Sequence, residues 1–240
     1  NSISIEIQFL KSLKLEKNIQ FKIFMSVSHD QFDKTVDVLV VGTGCGGLTA
    51  ALTADISNPS EVLIIEKSHL IGGTSATSGG VIWIPENHLA KEKGSNDSLL
   101  EAKEYLKATI PSNEFNELLI DTYLDQGPKM VKFMEDNTDA RYTSLEHYPD
   151  YFQDAPGVKL GNRALEPLPV SAAILKDDVD NLHPSGPQTV VFGRYGVNFE
   201  ESHAFTTQSP GWFGLFIKIF FSYWLDLSWR IKRKRSRRLA

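Results

Sequence analysis

The sequence predicts an α/β fold built on a parallel sheet. Three observations predict it: two short apolar runs at 36–41 and 61–66, a glycine-rich turn directly after the first, and a helix-forming stretch between them. Continuous β-branched character suits strands buried on both faces of a parallel sheet, not the alternation of a sheet with one wet face. At 240 residues, 41% hydrophobic and 23% charged, the chain suits one large globular domain or slightly more, which excludes disordered, collagen-like and disulfide-stapled classes. The single cysteine, Cys45, excludes an internal disulfide and a cysteine-based zinc site, and no metal is expected.

The first strand, Val36-Asp-Val-Leu-Val-Val41, runs into Gly42-Thr-Gly44-Cys-Gly-Gly47 and then into Leu48-Thr-Ala-Ala-Leu-Thr-Ala54, a helix. The second strand, Glu61-Val-Leu-Ile-Ile-Glu66, follows. This strand–turn–helix–strand context gives a Gly-x-Gly-x-x-Gly pattern its meaning as a dinucleotide-binding, Rossmann-type unit. Gly42 permits the turn, Gly44 lets a pyrophosphate approach the backbone, and Gly47 lets helix pack on strand. The helix N-terminus offers N–H donors and a positive dipole end to phosphates, with Gly46 in the same turn. Glu66, at the end of the second strand, can accept from ribose hydroxyls and repels a 2′-phosphate. Cys45 reads as a small filler of the turn.

A second glycine- and hydroxyl-rich loop follows the acid: Gly72-Gly73-Thr74-Ser75-Ala76-Thr77-Ser78-Gly79-Gly80. A nicotinamide-binding domain would usually continue into another ordinary helix. Here backbone N–H groups and hydroxyls can face a flatter, acceptor-rich part of a cofactor, as a flavin ring is. The alternative is a flexible surface loop.

Taken together, residues 37–47, Glu66-Lys67 and Gly72 to Pro85, with its Val-Ile-Trp-Ile-Pro ending, resemble the fumarate reductase/succinate dehydrogenase flavoprotein superfamily. Within it they are most similar to the 3-ketosteroid dehydrogenases. The resemblance covers about residues 30–240 and is strongest at 35–90. It implies an α/β, glutathione-reductase-like FAD-binding domain, incomplete here, with a helical and irregular insertion. FAD would contact Gly42, Gly44, Gly46, Gly47, Glu66, Lys67, Gly72, Gly73, Thr74, Ser75, Ser78, Gly79 and Gly80. Relatives with covalent FAD carry a histidine where this chain has Gly73, and His69 is out of register, so non-covalent FAD is expected.

Downstream, Ser98-Leu-Leu-Glu101 is a capping box that starts a helix ended by Pro111. A second helix from about Asn113 is expected to break at Gly127-Pro128, with a third from Lys129 to Asp136. Met130 and Met134 read as core. From Asn137 to Gly211 the helical pattern fades among prolines, and a loop this long is usually functional or interfacial. It holds Tyr148-Pro149-Asp150-Tyr151-Phe152. By the family resemblance Tyr151 is the catalytic candidate, supporting a second tyrosine that acts as base; the alternative is a tyrosine that only packs the loop. Tyr148 and Arg163 are weaker candidates, and His147 and His183 read as surface residues.

Net charge is −5, but Arg230, Lys232, Arg233, Lys234, Arg235, Arg237 and Arg238 crowd the end, leaving 18 basic against 30 acidic groups elsewhere. An acidic body argues against a nucleic-acid partner. The tail from Phe213 to Ile231 has helical spacing and apolar residues on all faces, so it wants burial. It either docks on another part of the protein, the favoured reading, or makes peripheral membrane contact through 212–238 with its basic end toward head groups. Its apolar run of 14 residues is shorter than the roughly 20 a membrane span needs. No secretory signal is evident and a cytoplasmic location is expected.

The domain expectation is a leader over 1–34 outside the fold, with Met25 as a natural start, or alternatively a genuine N-terminal extension. Residues 35–240 are then the N-terminal part of the FAD domain, without the cap domain or the returning C-terminal segment. The resemblance implies dehydrogenation of a C–C bond beside a ketone: a base takes the α-proton and a hydride leaves for the flavin. The substrate would be a small apolar ketone, a steroid foremost, with an unknown electron acceptor, and the fragment alone would be inactive. Alternatives are a fumarate-reductase-like flavoprotein for small dicarboxylates, or a non-catalytic FAD-binding fragment.

Overall fold

A computed structural model describes residues 3–5, 20–23, 33–57, 61–192, 195–233 and 237–239. Along the chain run β1 (Ile3–Ile5), β2 (Gln20–Ile23), β3 (Val38–Val41), α1 (Cys45–Ser57), β4 (Val62–Ile65), β5 (Ile82–Trp83), α2 (His88–Glu92) and α3 (Leu99–Thr109). Then come α4 (Glu117–Asn137), β6 (Tyr142–Ser144), β7 (Ala164–Pro167), β8 (Val170–Ser171), β9 (Val190–Val191) and β10 (Tyr195–Gly196). The last elements are α5 (Phe199–Thr207), α6 (Trp212–Leu225), α7 (Leu227–Arg233) and β11 (Arg238–Leu239). The chain divides into two units, residues 1–79 with 169–240, and residues 80–168.

In the first unit β3 and β4 pair in parallel from Val38–Val62 to Val41–Ile65, joined by α1 as a crossover helix packed on both strands. Ala51 and Leu52 on α1 and Val62, Leu63 and Ile64 on β4 are buried. The predicted α/β unit is therefore present, with the helix starting earlier than expected, inside the glycine turn at Cys45. Two segments of the expected leader join the sheet: β2 runs parallel to β4 and β1 antiparallel to β2.

One strand departs from its prediction. β3 was expected to be buried on both faces, yet Leu39 and Val41 are 54% and 76% exposed. α1 covers the Val40 side, where the helix comes close enough that a Cβ on Gly47 would lie 3.5 Å from Val40 Cγ1. Among the described residues none covers the other face.

Two smaller clusters complete this unit. Ala172, Leu175 and Val179 pack with Trp229 and Leu239, and Tyr195, Val197 and Ile219 pack with Phe205, Leu215 and Tyr223. The region where the helical pattern was expected to fade contains α5. Its start is a full capping box: Asn198 Oδ1 accepts from the Glu201 N–H at 3.0 Å and Glu201 Oε2 from the Asn198 N–H at 3.2 Å. The tail is two helices, not one, broken at Asp226.

The second unit is an antiparallel sheet in the order β5-β7-β6, with α3 packed on α4. Ile84, Val131 and Leu165 form its core, flanked by Met130 as expected. Ser98 caps α3, accepting from the Glu101 N–H at 3.2 Å and donating to Glu101 Oε2 at 2.9 Å. The expected break at Gly127-Pro128 does not occur: α4 runs unbroken through Pro128. Proline removes one i→i−4 bond and usually kinks a helix. Here burial of Leu124, Gly127 and Val131 along one stripe holds the flanking turns together. Gly127 lies so close to the sheet that a Cβ there would come within 3.3 Å of Ile84.

The largest fully buried side chain of this unit is Arg163, 1% exposed. It donates from Nη2 and Nε to Asp97 at 2.7 and 3.0 Å and from Nη1 to Asp150 at 2.8 Å. Trp83 Nε1 donates to the other Asp150 oxygen at 2.6 Å, and the guanidinium lies over the Trp83 and Tyr105 rings at 5.4 and 5.9 Å. Arg163, a candidate site residue by sequence, is thus committed to holding the unit together. Truncating it leaves two buried carboxylates unpaired. Arg163→Met should cost about 3–5 kcal/mol, read as a lowered urea midpoint, while Lys132→Met on the exposed face of α4 should cost under about 0.5 kcal/mol.

Candidate functional site

The first unit builds one candidate site at the C-terminal ends of β3 and β4, where open α/β sheets bind ligands. The backbone leaves β3 through Gly42, whose φ is +98° and whose N–H still bonds Ile65 O at 2.7 Å. A Cβ on Gly47 would fall 2.2 Å from Gly42 O, so the helix can start this close to the turn only with glycine there. Beside Gly46 a Cβ would meet nothing within 4 Å, and beside Gly44 only Ser75 Oγ at 3.6 Å. Around these two residues the protein itself leaves room.

The buried residue between the first two glycines organises the site. Thr43 donates to Glu66 Oε2 from its N–H at 2.9 Å and from its hydroxyl at 2.5 Å. The same hydroxyl accepts from the Gly72 N–H at 2.9 Å. Burial pushes the Glu66 carboxyl up, but hydrogen bonds from the Thr43 hydroxyl and from the Ser68, Thr43 and Lys67 backbone outweigh it and hold the group below its ordinary value. Glu66 is therefore a carboxylate across the physiological range. Thr43 was missed in the sequence, where it stands at an unspecified position of the glycine pattern; a hydroxyl between two glycines was the available signal.

The second loop lies against the first. Ser75 Oγ accepts from the Cys45 N–H at 3.0 Å, and a Cβ on Gly73 would sit 3.9 Å from Gly44 Cα. Gly72 has φ +102°, and a Cβ there would strike Ala76 at 2.7 Å. Residues Gly73–Thr77 form a 3₁₀ turn whose end returns the Ser78 N–H to Thr74 O at 3.1 Å. Gly73, Thr74, Ser78 and Gly79 are exposed, as are Cys45, Gly46 and Lys67. Of the predicted cofactor residues, Gly42 to Gly79 gather in the first unit; Gly80 begins the second, with φ +72° beside Pro167.

These features suit a dinucleotide. A helix N-terminus faces open space at two glycines, an ionised acid ends the neighbouring strand, and a second turn of hydroxyls and N–H groups adjoins both.

In the second unit Tyr151 is 80% exposed. Its hydroxyl lies 3.0 Å from that of Tyr148, whose pKa is pushed up to about 12, first by the hydrogen bond to Tyr151 and then by burial. Tyr148 thus keeps its proton, and either hydroxyl can donate to the other. The loop is pinned on both sides of Tyr151. Asp150 is buried, exchanges hydrogen bonds with Lys159 at 2.9 Å in both directions and receives Arg163, and the Phe152 N–H donates to Tyr105 Oη at 3.1 Å. His147 is exposed and His183 half-buried, its Nδ1 against Pro184 O at 3.2 Å.

A family model described as FAD binding domain matches residues 37–176, more than half of the chain. The 4-oxocyclohexanecarboxylate 2-dehydrogenase of Sinomonas cyclohexanicum is 39% identical over 72% of this chain and 29% of its own length. The 3-oxosteroid 1-dehydrogenase of Comamonas testosteroni is 30% identical over 87% of this chain and 36% of its own. Among solved structures, the 3-ketosteroid delta1-dehydrogenase of Sterolibacterium denitrificans, in complex with 1,4-androstadiene-3,17-dione, superposes with a TM-score of 0.77 at 38% identity, covering 85% of this chain and 36% of that one. The chain spans about a third of the length of these relatives.

Thr43→Val keeps the shape and removes the bridging hydroxyl, leaving Gly72 and Glu66 each short of a partner. It should cost about 1–3 kcal/mol in a urea titration, with Thr43→Ser retaining most of the stability. Because the folded pKa of Glu66 is depressed, its stabilisation is full above the ordinary glutamate value, about 4.3, and is lost as pH falls through the lower folded value. Glu66→Gln should therefore flatten the acid limb of the melting temperature below about pH 4.3.

Proposed function

The chain belongs to the FAD binding domain family, and on that premise we propose that it is the cofactor-binding part of a dehydrogenase acting on a C–C bond beside a ketone, with a 3-oxosteroid as the foremost substrate. The cofactor is FAD. The observation that carries the reading is the contact between the two glycine bends, through Thr43, Ser75 and Gly73, beside an ionised Glu66. The activity and the steroid rest on the relatives, two of which carry oxosteroid dehydrogenase names.

Each residue has a proposed task. The N–H groups of the α1 turn at Gly44, Gly46 and Gly47 bind the pyrophosphate, and Gly42 lets the chain reach it. Glu66 accepts from ribose hydroxyls, with Lys67 exposed beside it. Gly72 shapes the turn through its bond to Thr43, and Gly73, Thr74, Ser75, Ser78 and Gly79 donate to the ring system, with Gly80 next in the chain. Gly73 offers no imidazole for a covalent link, so binding is non-covalent. Bound FAD supplies the hydride acceptor.

Tyr151 supports the proton transfer by hydrogen bonding to a second tyrosine that acts as base, and its exposed hydroxyl, 3.0 Å from that of Tyr148, is placed for such a contact. Its fixed loop, held by Asp150 and Tyr105, supplies the orientation that acid–base chemistry needs. The glutathione-reductase-like arrangement is supported by the parallel β3–β4 pair with its crossover helix.

After incubation with FAD and removal of excess ligand, the chain should keep a flavin absorption spectrum, and acid precipitation should release the colour to the supernatant. Colour retained in the pellet would mean a covalent bond; a chain that takes up NAD and no flavin would overturn the cofactor assignment to these residues. In the steroid-oxidising protein, Tyr151→Phe should lower kcat about 10- to 100-fold, the worth of one hydrogen bond to a charged group, with KM for the ketosteroid little changed.

A further inference from the structure

Helix α6 is built inside out for a surface helix. Its inner row, Leu215, Ile219 and Tyr223, packs on Tyr195 and Val197. At 100° per residue the outer side carries Phe213, Ile217, Phe220, Phe221, Trp224 and Leu225, with Phe216 on its flank edge-on to Phe205, and all seven are exposed. The rings form a ladder along it, with centroids 6.3 Å apart for Phe216–Phe220 and 6.1 Å for Phe220–Trp224. A surface helix ordinarily turns charges outward. Here Lys218, at the margin of the apolar side, is the only charged residue of the helix.

Two observations identify what covers this face. The first is its chemistry: large rings in place of polar groups, on a helix of 14 residues. Among the described residues no helix is long and apolar enough to cross a membrane. A short helix with such rings on its open side suits the boundary between head groups and acyl chains, where Phe and Trp are favoured. The second is charge. The body of the chain is acidic, yet seven basic and no acidic residues fall between 230 and 238, directly after this face. Arg233 and Arg238 are spent on Asp177, Asp180 and Glu201. Lys218, Lys232 and Arg237 are exposed and, among the described residues, take part in no ion pair; Arg237 donates to Ser171 Oγ at 3.3 Å and lies over the Trp229 ring. Leu227 and Ile231 on α7 extend the exposed apolar surface toward that basic end.

We propose that α6 and α7 form a membrane-surface anchor, with the aromatic face of α6 inserted at the lipid interface and the basic end of the chain on anionic head groups. The proposal uses only this surface and does not depend on the redox reading. The test is co-sedimentation of the full chain with phosphatidylcholine vesicles, with and without phosphatidylglycerol. The chain should pellet with the anionic vesicles, less with neutral ones, and less again as salt is raised. Phe216→Asp/Phe220→Asp should weaken binding at least about tenfold with an unchanged far-ultraviolet circular dichroism spectrum. Lys232→Ala/Arg237→Ala, which leaves the apolar face intact, should abolish most of the preference for anionic vesicles. Equal binding by the wild type and the aspartate variant would overturn the proposal. So would a folded chain that ignores both vesicles, or one that instead self-associates in sedimentation equilibrium through the same phenylalanines.

Discussion

The buried hydroxyl of Thr43 is the joint on which the candidate cofactor site depends. It donates to the acid that ends β4 and accepts from the first residue of the second glycine loop. Three stretches of chain distant in sequence are thereby set in one register. The individual bonds are each worth roughly 1 kcal/mol net, but leaving any of these buried groups unpaired costs more. An apolar residue at position 43 would fit sterically and uncouple the acid from the second loop. The glycines answer a different demand. Gly47 is fixed by steric conflict with Gly42 O, whereas Gly44 and Gly46 meet little or nothing of the protein itself. Glycine at positions that the chain itself does not crowd leaves room for a close-lying ligand.

The legible part of this fold was the part where local pattern and tertiary structure agree. Strand β3, the glycine turn, α1 and β4 could be read because each has its own signal and the order admits few topologies. Thr43 could not be read, because its role lies in long-range partners 23 and 29 residues away. Pro128 misled for a related reason: its local penalty is real, but α4 is held by tertiary packing of a buried stripe against Ile84 and its neighbours. Arg163 was a weaker site candidate in the sequence, where nothing marks its partners. Its fork instead fits two aspartates that lie 66 and 13 residues away. Helix α5 was legible and overlooked, since Asn198 and Glu201 stand at capping-box spacing.

The exposed face of β3 is instructive beside these. Leu39 and Val41 belong to a run whose composition calls for burial on both sides, and only one side is covered by described residues. Composition reports the environment a strand is suited to, and the structure reports the one it has. The same gap exists on α6, whose outer side is more apolar than water favours. The two differ in surroundings. β3 stands at the end of a sheet with no concentration of one charge sign next to it, whereas α6 leads into the most basic stretch of the chain. Charge beside an open apolar face narrows the range of partners in a way that the face alone cannot.

The tyrosine loop shows how a side chain can be exposed yet fixed. Tyr151 projects into solvent, while its chain neighbour Asp150 is among the most buried charges of the unit, bonded to Trp83, Lys159 and Arg163. The ion pair is poor value for stability, since apolar packing of equal volume often does as well. What it supplies is a directed, bidentate hold that leaves the backbone at 150 a single conformation. The next side chain therefore points outward, and the Tyr148 hydroxyl lies 3.0 Å from its own. The position of the exposed phenol is thus set by buried side chains, those of Asp97, Asp150 and Arg163, that do not touch its ring.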